Sequence, residues 1–288
     1  MKNKSNVDSH CICCDQESKW CQVTSLPSFL FGKESTVLRC SQCGLGKTNP
    51  MPETTIEYYE DNQNYDTLFL ENRVLYESFA SNLLNLVKER AIGSGNTLLD
   101  IGCGGGFLVS AASKMGFVAK GIDANKTIVS WAQGQGIDVD QGDVEERIFQ
   151  QEKYDVVVLS AVLEHVSTPL SLLLQAKELL KPGGVILISQ ASFDGLLPKV
   201  FPWGWYGWQP EEHYWHFTPK SFLKLALQQG LKVKECKRNS LYHQFYMSGG
   251  IKVILGRNVA TLIARLGNLI GRGDNFDCVL TAEAEESA

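Results

Sequence analysis

The fold is decided by the stretch Leu98-Leu99-Asp100-Ile101-Gly102-Cys103-Gly104-Gly105-Gly106-Phe107, which reads as an apolar strand, a glycine-rich turn and the start of a helix. Glycine lets the main chain turn tightly and lets a ligand lie against the backbone. The glycines follow a G-x-G-x-G pattern, and Phe107 departs from the G-x-G-x-x-G spacing of dinucleotide-binding loops. Asp123 ends the next predicted strand, about 20 residues downstream, where a carboxylate can accept hydrogen bonds from ribose hydroxyls.

Strands and helices alternate from Thr97 onward. Strands are predicted at Thr97–Ile101, Val118–Asp123, Val139–Gln141, Tyr154–Ser160, Val185–Gln190, Lys232–Lys237 and Asp277–Thr281. Helices are predicted at Leu68–Arg90, after Gly106, after Asn125, at Pro169–Leu180 and from Thr218-Pro219 to Gly230. Because crossover helices join parallel strands, this alternation predicts an α/β fold with a mostly parallel sheet that is covered on both faces.

Further motifs accompany the glycine-rich turn. The apolar run Tyr154–Ser160 is followed by Glu164-His165, and Leu180-Lys181-Pro182-Gly183-Gly184 comes next. With these motifs, the chain from Thr97 to Thr281 resembles the class I S-adenosylmethionine (SAM) dependent methyltransferases. The resemblance implies a Rossmann-like seven-stranded sheet whose last strand is antiparallel. The alternative is a nucleotide-binding or ligand-free fold of the same type.

The resemblance also implies the residues that hold SAM. Four of them, at the end of the first core strand and in the turn, would lie against its methionine and ribose: Asp100, Gly102, Gly104 and Gly106. Asp123 would hold the ribose, Asp143 the adenine, and Ser160 would face the methionyl end. Cys103 is interpreted as a small filler beside the backbone and not as a nucleophile.

Two C-x-x-C pairs lie near the N-terminus, at Cys11–Cys14 and Cys40–Cys43. Two such turns can place four thiolates around Zn²⁺, and a closed four-ligand site of this kind is structural. The predicted ligands are Cys11, Cys14, Cys40 and Cys43, while Cys13 and Cys21 are spare and could compete. Strands are predicted between the pairs, at Trp20–Ser25 and Ser35–Arg39, and zinc binding supplies the folding energy of so small a unit. A redox role is less favoured, because no βαβ pattern surrounds either pair.

The stretch Val37–Leu45, followed by Asn49-Pro50, is similar to a zinc-ribbon-headed branch of methyltransferases that includes ubiquinone- and sugar-methyltransferase-like enzymes. A zinc ribbon can also read nucleic acid. Residues 1–50, however, hold only six Lys or Arg against four Asp or Glu, so nucleic acid is not the predicted partner. The ribbon is expected to act as a scaffold or as a wall on the substrate side.

The acceptor is expected beyond the carboxyl ends of the strands, as in other open parallel sheets. An aromatic lid is predicted at 191–217, where Trp203, Trp205, Trp208 and Trp215 crowd together, and a packed cap without ligand contact is the alternative. The segment from His213 to Pro219 resembles the corresponding part of ubiquinone-type methyltransferases. His165 is the first candidate for a general base and His213 and His216 are the next, with structural histidines as the alternative. No metal-dependent catechol site is recognised in the sequence.

A basic amphipathic helix is predicted at 250–270. An apolar stripe runs along it at helical spacing: Ile251, Leu255, Val259, Leu262, Leu266 and Leu269. Arg257, Arg265 and Arg272 lie on the opposite side. This pattern fits peripheral contact with an anionic membrane, a helix packed on the protein, or a dimer contact.

The composition is that of an ordinary globular protein, with 44% hydrophobic residues and a net charge of −5 over 288 residues. The absence of an apolar leader or of a spanning apolar run predicts a cytoplasmic protein, and one that is membrane-peripheral if the helix binds lipid. In that compartment, the nine cysteines indicate metal or thiol sites rather than disulfide bridges. The predicted organisation is a zinc-ribbon head and linker (1–52), a helical cap (53–96) and a methyltransferase domain (97–288).

The predicted function is transfer of a methyl group from SAM to oxygen or carbon of a small-molecule acceptor, such as a secondary metabolite or a quinone-like compound. Two alternatives stay open. One is methylation of a nucleotide-linked sugar or a cell-surface glycan precursor, whose phosphate would meet the basic 231–273 segment. The other is a SAM-binding interaction module without enzymatic activity.

Overall fold

The computed structural model describes residues 9–27, 34–53, 72–91, 96–144, 152–202, 205, 207–240 and 257–282. The strands, in chain order, are β1 (His10–Cys11), β2 (Gln16–Glu17), β3 (Trp20–Pro27), β4 (Glu34–Cys40), β5 (Gly46–Asn49), β6 (Thr97–Ile101), β7 (Val118–Asp123), β8 (Val139–Gln141), β9 (Tyr154–Ser160), β10 (Leu180–Ala191), β11 (Trp215–His216), β12 (Leu231–Asn239) and β13 (Asn275–Ala282). The helices are α1 (Arg73–Leu84), α2 (Phe107–Lys114), α3 (Lys126–Gly134), α4 (Pro169–Glu178), α5 (Leu196–Val200), α6 (Pro219–Gln228) and α7 (Arg257–Leu269), with a 3₁₀ turn at Lys88–Ala91.

The core is a seven-stranded sheet of order β12-β13-β10-β9-β6-β7-β8. The strands β10, β9, β6, β7 and β8 run parallel, and β13 is antiparallel to both β10 and β12. This confirms the predicted α/β, Rossmann-like sheet with its antiparallel last strand. The strands β7 and β8 lie on one side of β6 in the sheet, and β9 lies on its other side. The direction in which successive strands are added therefore reverses between β6 and β9.

Alternate residues of the central strands point to opposite faces, and helices cover both. In β9, Val157 and Leu159 contribute to one apolar cluster, which also takes in residues of α4 and α6. Val156 and Val158 contribute to another, formed with residues of α1, α2 and α3. Burial of both faces explains why these strands are near-continuous runs of apolar residues.

The helix ends follow local sequence rules. Thr218 begins α6 with a capping box, in which its hydroxyl accepts the N–H of Ser221 at 3.1 Å and the Ser221 hydroxyl accepts the N–H of Thr218 at 3.0 Å. Asn125 caps α3 by accepting the N–H of Ile128 at 3.0 Å. Thr168 precedes α4 as expected, but its side chain makes no capping hydrogen bond.

The ribbon forms a second, four-stranded sheet of order β11-β5-β4-β3. Strand β11 comes from the lid region, and it pairs antiparallel with β5 so that Trp215 faces Lys47 and His216 faces Gly46. An added Cβ at Gly46 would lie only 2.8 Å from Cβ of His216, so this pairing requires glycine. The ribbon and the lid are therefore one continuous β structure.

Several sequence predictions need correction. The helix predicted at Leu68–Arg90 occupies Arg73–Leu84, and its first predicted residues lie outside the described residues. Strand β10 begins at Leu180 instead of Val185, with a register shift between these two residues. Cys236 and Cys278 face each other across β12 and β13 and form a disulfide, against the expectation that no cysteine is bridged.

Helix α7 covers Arg257–Leu269 of the helix predicted at 250–270, and residues 250–256 lie outside the described part. The small residues Ala260, Ala264 and Gly267 face the protein. The large apolar residues are exposed, namely Val259, Leu262, Leu266, Leu269 and the following Ile270. The helix thus packs on the protein through its small residues and turns its apolar stripe outward. Among the described residues, no helix has the length and hydropathy needed to cross a bilayer.

Candidate active site

The glycine-rich turn after β6 adopts a backbone that other residues would resist. Gly102, Gly104 and Gly106 have φ values of 72°, 51° and 68°, in the left-handed region that favours glycine. Space is short as well, because a Cβ added at Gly102 would lie 2.6 Å from Cγ2 of Val162. The turn therefore requires glycine on both conformational and steric grounds.

Asp123 fastens this turn to the end of β7. Its Oδ2 accepts the N–H of Gly104 at 2.7 Å, and its Oδ1 accepts the N–H of Asn125 at 2.9 Å. Asp143 follows nearby, because the N–H of Gly142 donates to the carbonyl of Asp123 at 2.9 Å. The two predicted carboxylate residues thus stand at the ends of the neighbouring strands β7 and β8.

Asp100, in β6, is 3% exposed. Burial, together with the nearby charge of Asp123, raises the pKa of its carboxyl well above the ordinary value. Its Oδ1 has no hydrogen-bond partner among the described residues. A buried oxygen without a donor is costly, so this position suits a ligand that brings a hydroxyl, an ammonium or another positive charge. SAM carries all three, and the residues present therefore fit it.

Cys103, within the turn, is buried, and a Cβ added at Gly121 would lie 2.7 Å from its sulfur. Burial raises the pKa of the Cys103 thiol well above its ordinary value, which keeps it protonated. Both observations support the interpretation of Cys103 as a filler between β6 and β7.

The loop after β9 lies against the glycine-rich turn. Ser160 ends β9, and Ala161 has a φ of 54°, a strained value for a residue with a Cβ. The N–H of Ala161 donates to the carbonyl of Ser189 at 2.9 Å, and Val162 then packs on Gly102. This loop stands where the strand order reverses, which is the position of ligand crevices in open α/β sheets.

Glu164, His165 and His213 come together beyond this loop, with one potential ligand atom from each within 4.8 Å of the others. The rings of His165 and His213 meet edge to face, with centroids 4.5 Å apart. Glu212 adds a second carboxylate, since its Oε2 lies 3.8 Å from Nδ1 of His165. Glu164 and His213 are 2% and 3% exposed, so the cluster is largely shielded from water.

Burial governs the charge of this cluster. It raises the pKa of the Glu164 carboxyl to about 7 and lowers the pKa of the His213 imidazole to about 4. Burial and the neighbouring His213 also hold the pKa values of His165 and His216 well below the ordinary value. The three imidazoles are therefore neutral at pH 7.

His216 is tied to the ribbon. The hydroxyl of Thr48, in β5, donates to the carbonyl of His213 at 2.6 Å, so its oxygen is left to accept Nε2–H of His216 at 3.0 Å. Both side chains are buried. The structure thus brings His165 and His213 together and places His216 beside them in a structural contact.

The described part of the lid is packed. Trp205 and Trp208 are 4% and 3% exposed and lie between the ribbon and α7, with Phe193, Leu26 and Ala260 in the same apolar cluster. The indole N–H of Trp205 donates to Asp274 at 3.2 Å. Trp203 lies outside the described residues. Burial of these rings supports the alternative of a packed cap.

The four predicted zinc ligands also come together, with all four sulfurs within 4.8 Å of one another. The sulfur–sulfur distances are 3.6 Å for Cys11 and Cys43 and 3.9 Å for Cys14 and Cys40. A tetrahedral zinc ion with Zn–S bonds of about 2.3 Å separates its sulfurs by about 3.8 Å, so the arrangement fits zinc. The spare Cys13 instead points to the carbonyl of Ser221, at 3.5 Å.

Comparison with known proteins agrees with this geometry. Residues 72–235 match the model of a methyltransferase-domain family, and the chain belongs to that family. It is a SAM-dependent methyltransferase, with a four-cysteine cluster that is consistent with a zinc ribbon.

Two relatives are ubiquinone biosynthesis O-methyltransferases. The one from Dinoroseobacter shibae is 34% identical over 172 residues, which make up 54% of this chain and 68% of the relative. The one from Histophilus somni is 38% identical over 118 residues, 37% of this chain and 50% of the relative. The match thus covers between half and about two thirds of the length of these two relatives.

Two solved structures share the fold. Magnesium protoporphyrin IX methyltransferase from Synechocystis PCC 6803, with bound S-adenosylhomocysteine (SAH), has a TM-score of 0.56 at 14% identity, covering 79% of this chain and 97% of that one. A SAM-dependent methyltransferase from Archaeoglobus fulgidus has a TM-score of 0.53 at 16% identity, covering 74% and 98%. Both similarities are evidence for the fold alone.

Sequence reasoning missed two residues of the site. Glu212 is one, and its position directly before His213 was the available signal. Thr48 is the other, and no local pattern marks it, because its two partners lie in the lid more than 160 positions away.

Proposed function

We propose that this methyltransferase methylates a small-molecule acceptor, at oxygen or carbon, in the loop region beyond β9. One observation carries the proposal: the buried Asp100 oxygen without a donor lies beside the Asp123-fastened turn, where the strand order reverses. A quinone-like acceptor is favoured because the relatives described above are ubiquinone biosynthesis O-methyltransferases.

The SAM contacts follow from the positions already described. The backbone of Gly102, Gly104 and Gly106 would lie along the methionine and ribose, and Asp100 would accept from the donors of the ligand. Each carboxylate oxygen of Asp123 has two lone pairs and accepts one main-chain N–H. Each oxygen could therefore accept a further hydrogen bond, from a ribose hydroxyl. Asp143 would reach the adenine and Ser160 the methionyl end.

Bound SAM supplies an electrophilic methyl group on a positively charged sulfur. The protein has to align the acceptor in line with the carbon–sulfur bond and exclude water. Burial of Glu164 and His213 supports water exclusion on the acceptor side. When the acceptor is a hydroxyl, we assign removal of its proton to the cluster of Glu164, His165 and His213, and a positioning role to His216.

The four-cysteine cluster is assigned to structural Zn²⁺, on the strength of its sulfur spacing. Its closed set of four thiolates leaves no position for a substrate. The ribbon would therefore act through β5, whose Thr48 holds the lid strand and its histidines in place.

Helix α7 supports peripheral membrane contact in the cytoplasm. Leu262, Leu266 and Leu269 are 66%, 50% and 85% exposed, and the exposed Arg265 and Arg272 flank them. An apolar stripe beside positive charges suits the surface of an anionic bilayer, where a lipid-like acceptor would reside. Methylation of a nucleotide-linked sugar or glycan precursor is the second candidate, favoured by the basic 231–273 segment.

Calorimetry with SAM and SAH tests the cofactor site. We expect binding by the zinc-loaded protein, with affinity lowered at least about tenfold in Asp123→Ala, which loses both main-chain contacts and the ribose acceptor. The matched control is Asp138→Ala, at an exposed residue of the same strand–loop region. SAH release with quinols or with nucleotide sugars then separates the two acceptor classes. Failure of the wild-type protein to bind either SAM or SAH would refute the proposal.

A further inference from the structure

We propose that Asp277, in β13, binds a hydroxyl or amine group of the acceptor and so determines which acceptor is methylated. The register of the sheet places this carboxylate in line with Ser160. Ser189 is the partner of Ser160 across β9 and β10, and Asp277 is the partner of Ser189 across β10 and β13. The inference rests on the proposed function, in which Ser160 faces the methionyl end of SAM. The acceptor would extend from there along the carboxyl edge of the sheet.

Ser160, Ser189 and Asp277 point to the same face of the sheet, the one that α1, α2 and α3 cover. The residues two positions away on each strand show this, because they belong to the apolar cluster on that face: Val158, Leu187 and Val279. Neighbouring strands lie about 4.8 Å apart, so a group held by Asp277 lies about 10 Å along the sheet from Ser160. That distance suits the far end of a small molecule whose near end receives the methyl group.

The polar cluster around Asp277 has more hydrogen-bond acceptors than hydrogens. Asn275 has two amide hydrogens, but three side-chain oxygens lie near its Nδ2: those of Ser189 at 3.2 Å, Asn239 at 2.9 Å and Asp277 at 3.0 Å. The single hydroxyl hydrogen of Ser189 goes to Oδ1 of Asp277 at 2.7 Å, and Nδ2 of Asn239 donates to Oδ2. Oδ1 thus accepts two hydrogen bonds and Oδ2 one, which leaves a lone pair on Oδ2 for a further donor.

The charge of Asp277 also favours a donor from outside the protein. The residue is 9% exposed, and the side chains that donate to its carboxylate are all neutral among the described residues. Lys237, its partner on β12, forms an ion pair with Glu235 instead. Burial raises the pKa of the Asp277 carboxyl, since a charge in this place is poorly solvated. A hydroxyl or an ammonium group would stabilise the carboxylate, so we expect the acceptor to carry such a group besides the atom that is methylated.

Three small probes test this subsite: benzyl alcohol, benzyl methyl ether and benzylamine. They present a hydroxyl, no donor and an ammonium group on the same ring. Their binding to the full-length, zinc-loaded, SAH-bound protein is measured by ligand-observed NMR. We expect benzyl alcohol to bind at least about tenfold more tightly than the ether, because only the alcohol can donate to the carboxylate. Comparison of benzylamine with benzyl alcohol then shows which of the two groups the subsite prefers.

Asp277→Asn keeps the shape of the side chain and brings hydrogens of its own, so the preference for the alcohol over the ether should fall to about threefold or less. Asp140→Asn is the matched control, an exposed carboxylate on β8 of the same sheet, and it should keep the full preference. Amide NMR of the wild type is a second measurement that needs no variant. Benzyl alcohol should shift the signals of Ser189 and Asp277 and leave that of Asp140 in place.

SAH binding by each variant shows that it is folded and keeps its cofactor site. The subsite would be overturned by a wild type that binds SAH but shows no preference for benzyl alcohol, including no measurable binding of it. A preference that persists unchanged in SAH-binding Asp277→Asn would overturn the subsite as well. Loss of SAH binding in the wild type would instead refute the proposed function, so the two failures are distinguishable.

Discussion

Replacement of Thr48 by valine should show that the ribbon holds the acceptor site together. The hydroxyl of Thr48 donates to the carbonyl of His213 and accepts from Nε2 of His216, and its residue is 1% exposed. Valine has nearly the same shape, so the change leaves packing in place and removes only the polar contacts. Two buried groups then lack a partner, at about 1–3 kcal/mol each, so we expect a loss of about 2–6 kcal/mol in the free energy of unfolding.

Urea unfolding of the zinc-loaded protein measures this loss. Thr36→Val is the matched control on the same sheet, because its hydroxyl donates to the carbonyl of Asn49 at 3.2 Å in a half-buried position that water can reach. We expect the control to lose less than about 1.5 kcal/mol, the net value of one ordinary hydrogen bond. Equal losses in Thr48→Val and Thr36→Val would refute the idea that this hydroxyl joins the ribbon to the lid.

Three further predictions concern the turn, the metal and the helix. Gly102→Ala should lower both SAH affinity and the free energy of unfolding. Gly136→Ala has a similar positive φ but nothing within 4 Å of the added Cβ, so its free energy of unfolding should fall by only about 1–2 kcal/mol. Equal losses of stability in urea unfolding would contradict the steric argument. Cys43→Ser should lower zinc content by mass spectrometry and expose the ribbon to protease while SAH binding persists; a ribbon that stays protected without zinc would contradict the structural role. Replacement of Arg257, Arg265 and Arg272, in and just after α7, by alanine should reduce pelleting with anionic liposomes but not with neutral ones. Unchanged pelleting would contradict the membrane contact.

The centre of the sheet was predictable because β6 and β9 are largely buried on both faces and are therefore apolar runs between turn residues. The strands β6, β7, β8 and β9 all occupy the predicted residues. The start of β10 was not predictable. Pro182, Gly183 and Gly184 read as a turn, yet Leu180 pairs with Tyr154 ahead of a register shift.

Pairing between distant segments was also beyond the sequence. Strand β11 has two residues, too few to show a period, and its partner β5 lies far away along the chain. The disulfide of Cys236 and Cys278 depends on the register of β12 and β13, which the apolar pattern leaves open. For α7, the pattern located the apolar stripe correctly but not the side that faces the protein. Shape decides that side, because Ala260 and Ala264 allow close packing.

The site also has a part that local sequence motifs predict and a part that depends on tertiary contacts. Asp100, Asp123 and the glycines belong to one strand–turn–helix unit and its neighbour, so local motifs sufficed to find them. Glu164 and His165 were recognisable as a pair, but their meeting with His213 depends on the lid. Tertiary placement of a segment without periodicity cannot be read from its residue types.

The cofactor side and the acceptor side of the site depend on the zinc site to different extents. The turn and Asp123 are held by contacts within the central sheet, whereas His213 lies two residues before the start of β11, a strand too short to be stable alone. Its partner β5 belongs to a ribbon whose two cysteine turns have little core of their own. Order at the acceptor side is therefore imposed from the zinc site through β5, Thr48 and β11. The cofactor side does not depend on the zinc site. We therefore expect the protein without zinc to bind SAM but to be unable to position an acceptor.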